Sequence, residues 1–238
     1  MKNTFTTLAV LCFAMLKTLG VETNSIFEAI ENDNVQDMQK LLLAKPDLEI
    51  RNQKGWTPLV SAVKGKRAEI VELLAKTGAN VNASSTSGTP VNCFAAENGD
   101  TNSLGILLKY KADVDATNRT GISTLFVAAY EGHEAAVKLL VKSGAQLEKP
   151  IFAGDTVLML IAKYGRLESA KILLRAGANV NGRGPRGHTA LIYAAYNGNI
   201  EIAQLLLDAG ADIDAKAWNK GLSRGHQPSR PIMAKRQP

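Results

Sequence analysis

Apolar and polar positions in this chain recur at a fixed spacing. Gly55, Gly88, Gly121, Gly154 and Gly187 stand 33 residues apart, and each opens the same pattern. In the last unit Thr189 can cap a helix starting at Ala190, the place that Pro58 takes in the unit at Gly55. A proline there costs no useful hydrogen bond. Leu191, Ala194 and Ala195 fall on one side of that helix as its buried stripe, and Gly198 offers a left-handed residue to end it. A second helix follows with Ile200, Ile202, Ala203, Leu205, Leu206 and Leu207, too apolar all round for a surface helix, and Gly210 stops it. Ile213 then anchors an extended finger that leads to the next unit. A period of this length predicts stacked units whose cores are shared between neighbours.

Residues 22–54 carry a weaker copy, with Ile26, Ile30, Met38, Leu41, Leu42 and Leu43 in the apolar places. Glu28, Glu31, Asp33, Gln36 and Gln39 supply the polar outer face that a terminal unit needs. The expected organisation is therefore a capping unit at 22–54, five full units at 55–87, 88–120, 121–153, 154–186 and 187–219, and a tail at 220–238. Past Trp218 the pattern breaks: the next glycine arrives one place late as Gly221, and neither cap nor helix pattern follows. Composition predicts a disordered tail. The last helix pair is then left with open apolar surface unless the tail, Trp218 or a partner covers it.

These units resemble the ankyrin repeat. The resemblance is carried by Gly55-Trp-Thr-Pro-Leu-Val-Ser-Ala62, Ala129-Tyr-Glu-Gly-His133, Leu173-Leu-Arg-Ala-Gly-Ala-Asn-Val-Asn181 and Ala209-Gly-Ala-Asp-Ile-Asp214. It covers about 22 to 219 and implies an all-α solenoid of helix-turn-helix units with short β-finger loops. The histidine usual after Thr-Pro-Leu is replaced by Val60, Cys93, Phe126, Met159 and Ile192, so packing must take over from its inter-repeat hydrogen bonds. Thr89-Pro90 sits one place early in its unit. Similarity to small exported bacterial proteins of this kind implies a non-catalytic scaffold that grips a protein partner along one concave face. Carried onto this chain, the gripping residues are Trp56, Lys64, Glu97, Asn98, Ile122, Tyr130, Glu131, Asp155, Lys163, Tyr164, Arg186, His188, Tyr196 and Asn197, with Lys54, Ser87, Thr89, Thr120 and Ala153 also at finger tips. Tyr130, Tyr164 and Tyr196 bring a ring to the groove from three successive units, although each ring could equally pack on the neighbouring unit.

The formal net charge of +6 changes this picture little once it is located. The tail contributes five basic residues and no acid, and Lys2 and Lys17 lie at the other end, which leaves the body at −1. No nucleic acid is expected along a neutral body. Met1–Gly20 has Lys2, an apolar run from Thr6 to Leu16 and the small residues Thr18-Leu-Gly20. It reads as a secretory signal peptide too short to span a bilayer, with a frayed amphipathic helix as the other reading. The expected location is periplasmic or secreted, or cytoplasmic under that other reading. Cleavage would leave Cys93 as the sole cysteine, with no disulfide.

No constellation points to catalysis, a cofactor or a metal. Gly182-Arg-Gly-Pro-Arg-Gly187 spells a glycine-rich phosphate loop, but Gly187 is already required by the repeat and no βαβ context surrounds it. Asp113/Asp115 and Asp212/Asp214 share their places with Asn80/Asn82, Gln146/Glu148 and Asn179/Asn181, which predicts backbone hydrogen bonds in a turn. His133 shares its place with Arg67, Asp100, Arg166 and Asn199 at the start of each second helix, which predicts caps. The chain is expected to be monomeric in isolation, the structural alternative being self-association through the uncapped C-terminal end.

Overall fold

The computed structural model describes residues 21–151 and 154–217. Met1–Gly20, read above as a signal peptide, the tail with Trp218, and Ala153 lie outside the described residues. Among the described residues twelve helices follow in pairs: α1 Val21–Glu31 and α2 Val35–Leu43, α3 Pro58–Lys64 and α4 Ala68–Thr77, α5 Val91–Asn98 and α6 Thr101–Lys109, α7 Thr124–Glu131 and α8 Glu134–Lys142, α9 Val157–Tyr164 and α10 Leu167–Arg175, α11 Ala190–Tyr196 and α12 Ile200–Asp208. First helices pack on first helices and second on second, pair after pair, so the core is one continuous strip from Ile26 to Leu206. Among the described residues the fingers contribute two isolated antiparallel bridges, Ser84 to Pro90 and Thr117 to Ser123, and no strand.

Four of the first helices start where a hydroxyl closes the first turn. Thr57, Ser123, Thr156 and Thr189 accept from the backbone N–H three residues on, at 3.2–3.4 Å. Pro90 occupies this place in α5 and makes no side-chain cap. The displaced Thr89-Pro90 therefore shifts the hydroxyl, not the helix, and Ser85 Oγ takes the Thr89 N–H instead at 3.2 Å. Ala195 departs from its expected place in the core: it is exposed, whereas Val63, Ala96, Ala129 and Ala162 in the same column are buried. Those four are covered by the following pair, and no described pair follows α12. The polar face of the first pair is as expected, with Glu28, Glu31, Asp33, Gln36 and Gln39 all exposed.

The left-handed residues that end the helices form two columns. Gly99, Gly132, Gly165 and Gly198 end first helices, and Gly78, Gly144, Gly177 and Gly210 end second helices, all at positive φ. Four side-chain-bearing residues stand in these columns at φ 53–71°: Asp33, Lys45, Lys66 and Lys111. An L-residue pays roughly 1 kcal/mol for that conformation. At the glycines in the Lys111 column a Cβ would meet nothing within 4 Å, so torsion alone is at issue there. Lys66→Gly with Lys111→Gly is expected to raise stability by roughly 1 kcal/mol per site and Tm by a few degrees. Thermal melts of the pair against the parent chain check this, and an unchanged or lowered Tm would show that the columns are unstrained.

The polar finger positions make a ladder that runs through the array. Asn80 Oδ1 accepts from Asn82 N within its own turn at 2.9 Å, and Asn82 Oδ1 accepts from Asp113 N of the next unit at 2.8 Å. Asp113 continues to Asp115, Asp115 to Gln146, Glu148 to Asn179, Asn179 to Asn181, and Asn181 to Asp212. The bonds are thus not confined to the local turn, as the recurrence alone suggested: alternate rungs join neighbouring units. The carboxylates of Asp113, Asp115, Glu148 and Asp212 accept backbone N–H groups.

Candidate functional site

The face expected to grip a partner is made of finger tips and first helices. Fingers are shaped by Asn52 and Asn118, whose Oδ1 atoms accept from Trp56 N and Ile122 N, each at 3.0 Å. This presents Trp56 and Ile122 at matching places, both half-buried. Trp56 lies 6.0 Å from the Phe94 ring, with the Lys54 amine 5.0 Å from its own ring centroid. Lys64 pairs with Glu97 at 2.8 Å and sits over Phe94. A groove of about 500 Å³ opens here, lined among others by Phe27, Trp56, Lys64, Arg67 and Asn98. Asn52, Lys64 and Asn98 on its walls are engaged with other side chains or with backbone, and Arg67 reaches Asp33 and the Glu31 carbonyl while its Nε stays buried without a partner.

Of the residues that begin second helices and were expected to cap them, Arg67, Asp100, His133, Arg166 and Asn199, Asp100 alone does, accepting from Ser103 N at 3.1 Å, as Asn34 does for α2 by accepting from Asp37 N at 3.0 Å. The others reach back to the preceding unit, where a first helix ends with unpaired carbonyls. Arg67 Nη2 donates to the Glu31 carbonyl, His133 Nε2 to that of Glu97, and Asn199 Nδ2 to those of Ala162 and Lys163. Asp100, a carboxylate, cannot donate, and at that interface Asn98 supplies the bonds, from Nδ2 to the Val63 and Lys64 carbonyls at 3.4 and 3.3 Å. Asn98 is therefore occupied within the fold. Arg166 also reaches back, with its guanidinium 5.1 Å from the Tyr130 ring centroid.

That contact belongs to an aromatic cluster. Tyr130 and Tyr164 meet edge to face at 5.0 Å, and Phe126 lies 5.6 Å from Tyr130 and 6.4 Å from Tyr164. Tyr164 remains 46% exposed. Tyr196 does not join them: it is 88% exposed and has no ring contact among the described residues. Its neighbour Asn197 folds back onto the Tyr193 carbonyl at 2.8 Å. Glu131 and Arg186 are exposed.

Asp155 takes an inward position at its finger tip. It is 8% exposed and accepts from the Tyr193 hydroxyl at 2.8 Å. Burial first, and the Asp155 carboxylate second, push Tyr193 up to about 12. His188 packs on Tyr193 at 5.1 Å with its Nδ1 buried and unpartnered. Gly184 leaves room for the Asp155 carboxylate, which a Cβ there would strike. The glycine-rich segment is thus an ordinary finger: Gly182 N, Gly184 N and Gly187 N donate to the carbonyls of Asn179, His188 and Gly184. Amides engaged in this way do not form a phosphate cradle.

Phe94, Phe126, Arg166 and Tyr193 are the members of this face that sequence reasoning did not assign to it. The signal was present only for Arg166, as a cation in a column where Asp100 and His133 showed that charge recurs. Cys93 is 4% exposed, its Sγ 3.4 Å from Thr124 Oγ1, and burial pushes the thiol up to about 11. It stands in for the missing histidine as a packed inter-repeat contact. Maleimide at neutral pH is expected to leave Cys93 unmodified in the folded chain and to label it fully in denaturant; labelling at equal rates in both would refute this.

The stacked helix pairs with extended fingers define a repeat solenoid. A family model described as ankyrin repeats (3 copies) matches residues 26–118 and 125–217, and the chain belongs to that family. Among solved structures it is similar to the ankyrin repeat domain of Bcl-3, described as a unique member of the IkappaB protein family, at 27% identity and a TM-score of 0.76, covering 81% of this chain and 89% of that one. It is also similar to an ankyrin repeat domain from Acinetobacter baumannii AYE, at 31% identity and a TM-score of 0.72, covering 79% of this chain and 98% of that one. Ankyrin repeats are generally protein–protein interaction modules and typically non-catalytic. Among the described residues no helix is long and apolar enough to cross a membrane.

Proposed function

We propose that this chain is a non-catalytic scaffold that binds a protein partner across the concave face of α7, α9 and α11. The observation that carries this is the Phe126, Tyr130 and Tyr164 cluster, rigid through ring contacts yet open to solvent at Tyr164, with Tyr196 further along the same column of first helices. Rigid aromatic side chains that keep an open face are the usual anchors of protein interfaces. The signal-peptide reading of Met1–Gly20 supports an exported, periplasmic or secreted setting. The test is co-purification from the native source with the intact chain and with a Tyr130→Ala, Tyr164→Ala, Tyr196→Ala variant shown to be folded. A partner held by the first and lost by the second supports the proposal, and its own compartment reports the location.

A second reading rests on the last unit, where Ile200 is 77% and Ile213 74% exposed. Their column-mates Leu167 and Val180 are partly buried and pack on the core. Self-association through that end would appear as a concentration-dependent mass in sedimentation, and a monomer at all concentrations sinks it.

A further inference from the structure

The cations of the concave face differ along its length. Near the N-terminal end the first-helix and second-helix cations Lys64 and Arg67 have carboxylate partners, Glu97 at 2.8 Å and Asp33 at 3.3 Å, while the finger-tip Lys54 lies on the Trp56 ring. In the aromatic region the side chains of Lys163 and Arg166 have no hydrogen bond or ion pair among the described residues. Each is instead held on rings: the Arg166 guanidinium on Tyr130, and the Lys163 amine 5.4 Å from the Tyr164 centroid and 5.9 Å from that of Tyr193. A ring face attracts a cation through its quadrupole but takes none of its in-plane N–H donors. The guanidinium fork and the ammonium are therefore held in place on one side and free to donate on the other, a geometry suited to carboxylates. Of the nearby acids, Asp155 is buried and bound by Tyr193, and Glu131 is exposed and pairs with neither cation.

We propose that the groove of α7, α9 and α11 takes an acidic protein segment, its Asp or Glu carboxylates on Lys163 and Arg166 and an apolar side chain against the Tyr130–Tyr164 ring pair. This rests on the concave-face reading above. A ring-only groove would have its cations neutralised in place, as at Lys64, and the absence of such neutralisation is what separates an acidic partner from a neutral one.

The test is selection of short random peptides on the full-length chain, followed by fluorescence polarisation of synthetic copies of the selected sequences. The selected peptides should be enriched in Asp and Glu, lose affinity as salt rises from about 50 to about 300 mM, and bind roughly tenfold more weakly to Lys163→Gln/Arg166→Gln. Arg166→Lys, which keeps the charge and loses the stacked fork, should weaken binding less than the double variant. Circular dichroism melts confirm that the variants fold. Neutral or basic peptides that still require Tyr130, Tyr164 and Tyr196 would overturn the acidic assignment and leave the concave-face reading standing. Absence of any peptide whose binding depends on either set of residues would overturn both.

Discussion

Truncating Leu140 to alanine is expected to cost about 3 kcal/mol and to split a single unfolding transition into two. Leu140 is fully buried in α8, at the middle of the array, where α8 packs on its own partner α7 and on α6 and α10 of the neighbouring pairs. A solenoid has no contacts between distant units, so cooperativity passes through each interface in turn. A cavity in a central unit weakens both of its interfaces and uncouples the ends. With Trp218 replaced by phenylalanine, Trp56 fluorescence reports the N-terminal half while far-UV circular dichroism reports all helices. The two urea curves should coincide in the parent and separate in the variant. Leu206→Ala, equally buried but in the terminal helix α12, should lower stability without separating the curves. Coincident curves in Leu140→Ala would mean that the array is stitched by something other than nearest-neighbour packing.

Replacing Tyr193 by phenylalanine is expected to cost about 2 kcal/mol at neutral pH, because it leaves a nearly buried carboxylate without its side-chain donor. Only the hydroxyl is removed, so the ring contacts with His188 and Lys163 persist. The pH dependence gives a second signature. Folding raises the tyrosine from its ordinary value of about 10 to about 12. Its stabilisation is therefore complete below the unfolded value and is lost as pH rises through the folded one. The gap between parent and Tyr193→Phe should hold up to about pH 10 and close by about pH 12. A constant gap across that window would show that the hydroxyl contributes through packing alone.

The parts of this fold that were legible in the sequence are those where one residue type does one job in its own unit. The glycines at positive φ and the hydroxyl caps at Thr57, Ser123, Thr156 and Thr189 act within a few residues of themselves. What stayed hidden depends on a side chain reaching the neighbouring unit. Arg67, His133 and Asn199 look like caps in a column and are inter-unit donors, because the carbonyls they satisfy belong to the preceding first helix. The exchange of that role from Asp100 to Asn98 follows from a carboxylate lacking a hydrogen, which becomes visible only once the acceptors are placed. Asp155 looked like a finger-tip contact and is a buried acceptor, because Tyr193 lies opposite and Gly184 makes room. Lys66 and Lys111 could have been read as misfits in two glycine columns; the columns were in the sequence, but the φ values that make them costly were not.

The most direct measurement of the central claim is hydrogen–deuterium exchange of the full chain with and without the partner that it captures. Binding on the concave face predicts slowed exchange in the peptides covering Thr124–Glu131 and Val157–Tyr164, and little change in α12. Slowed exchange confined to Ile200–Asp208 and the residues that follow, with α7 and α9 unchanged, would contradict the account and move the interface to the open end of the array.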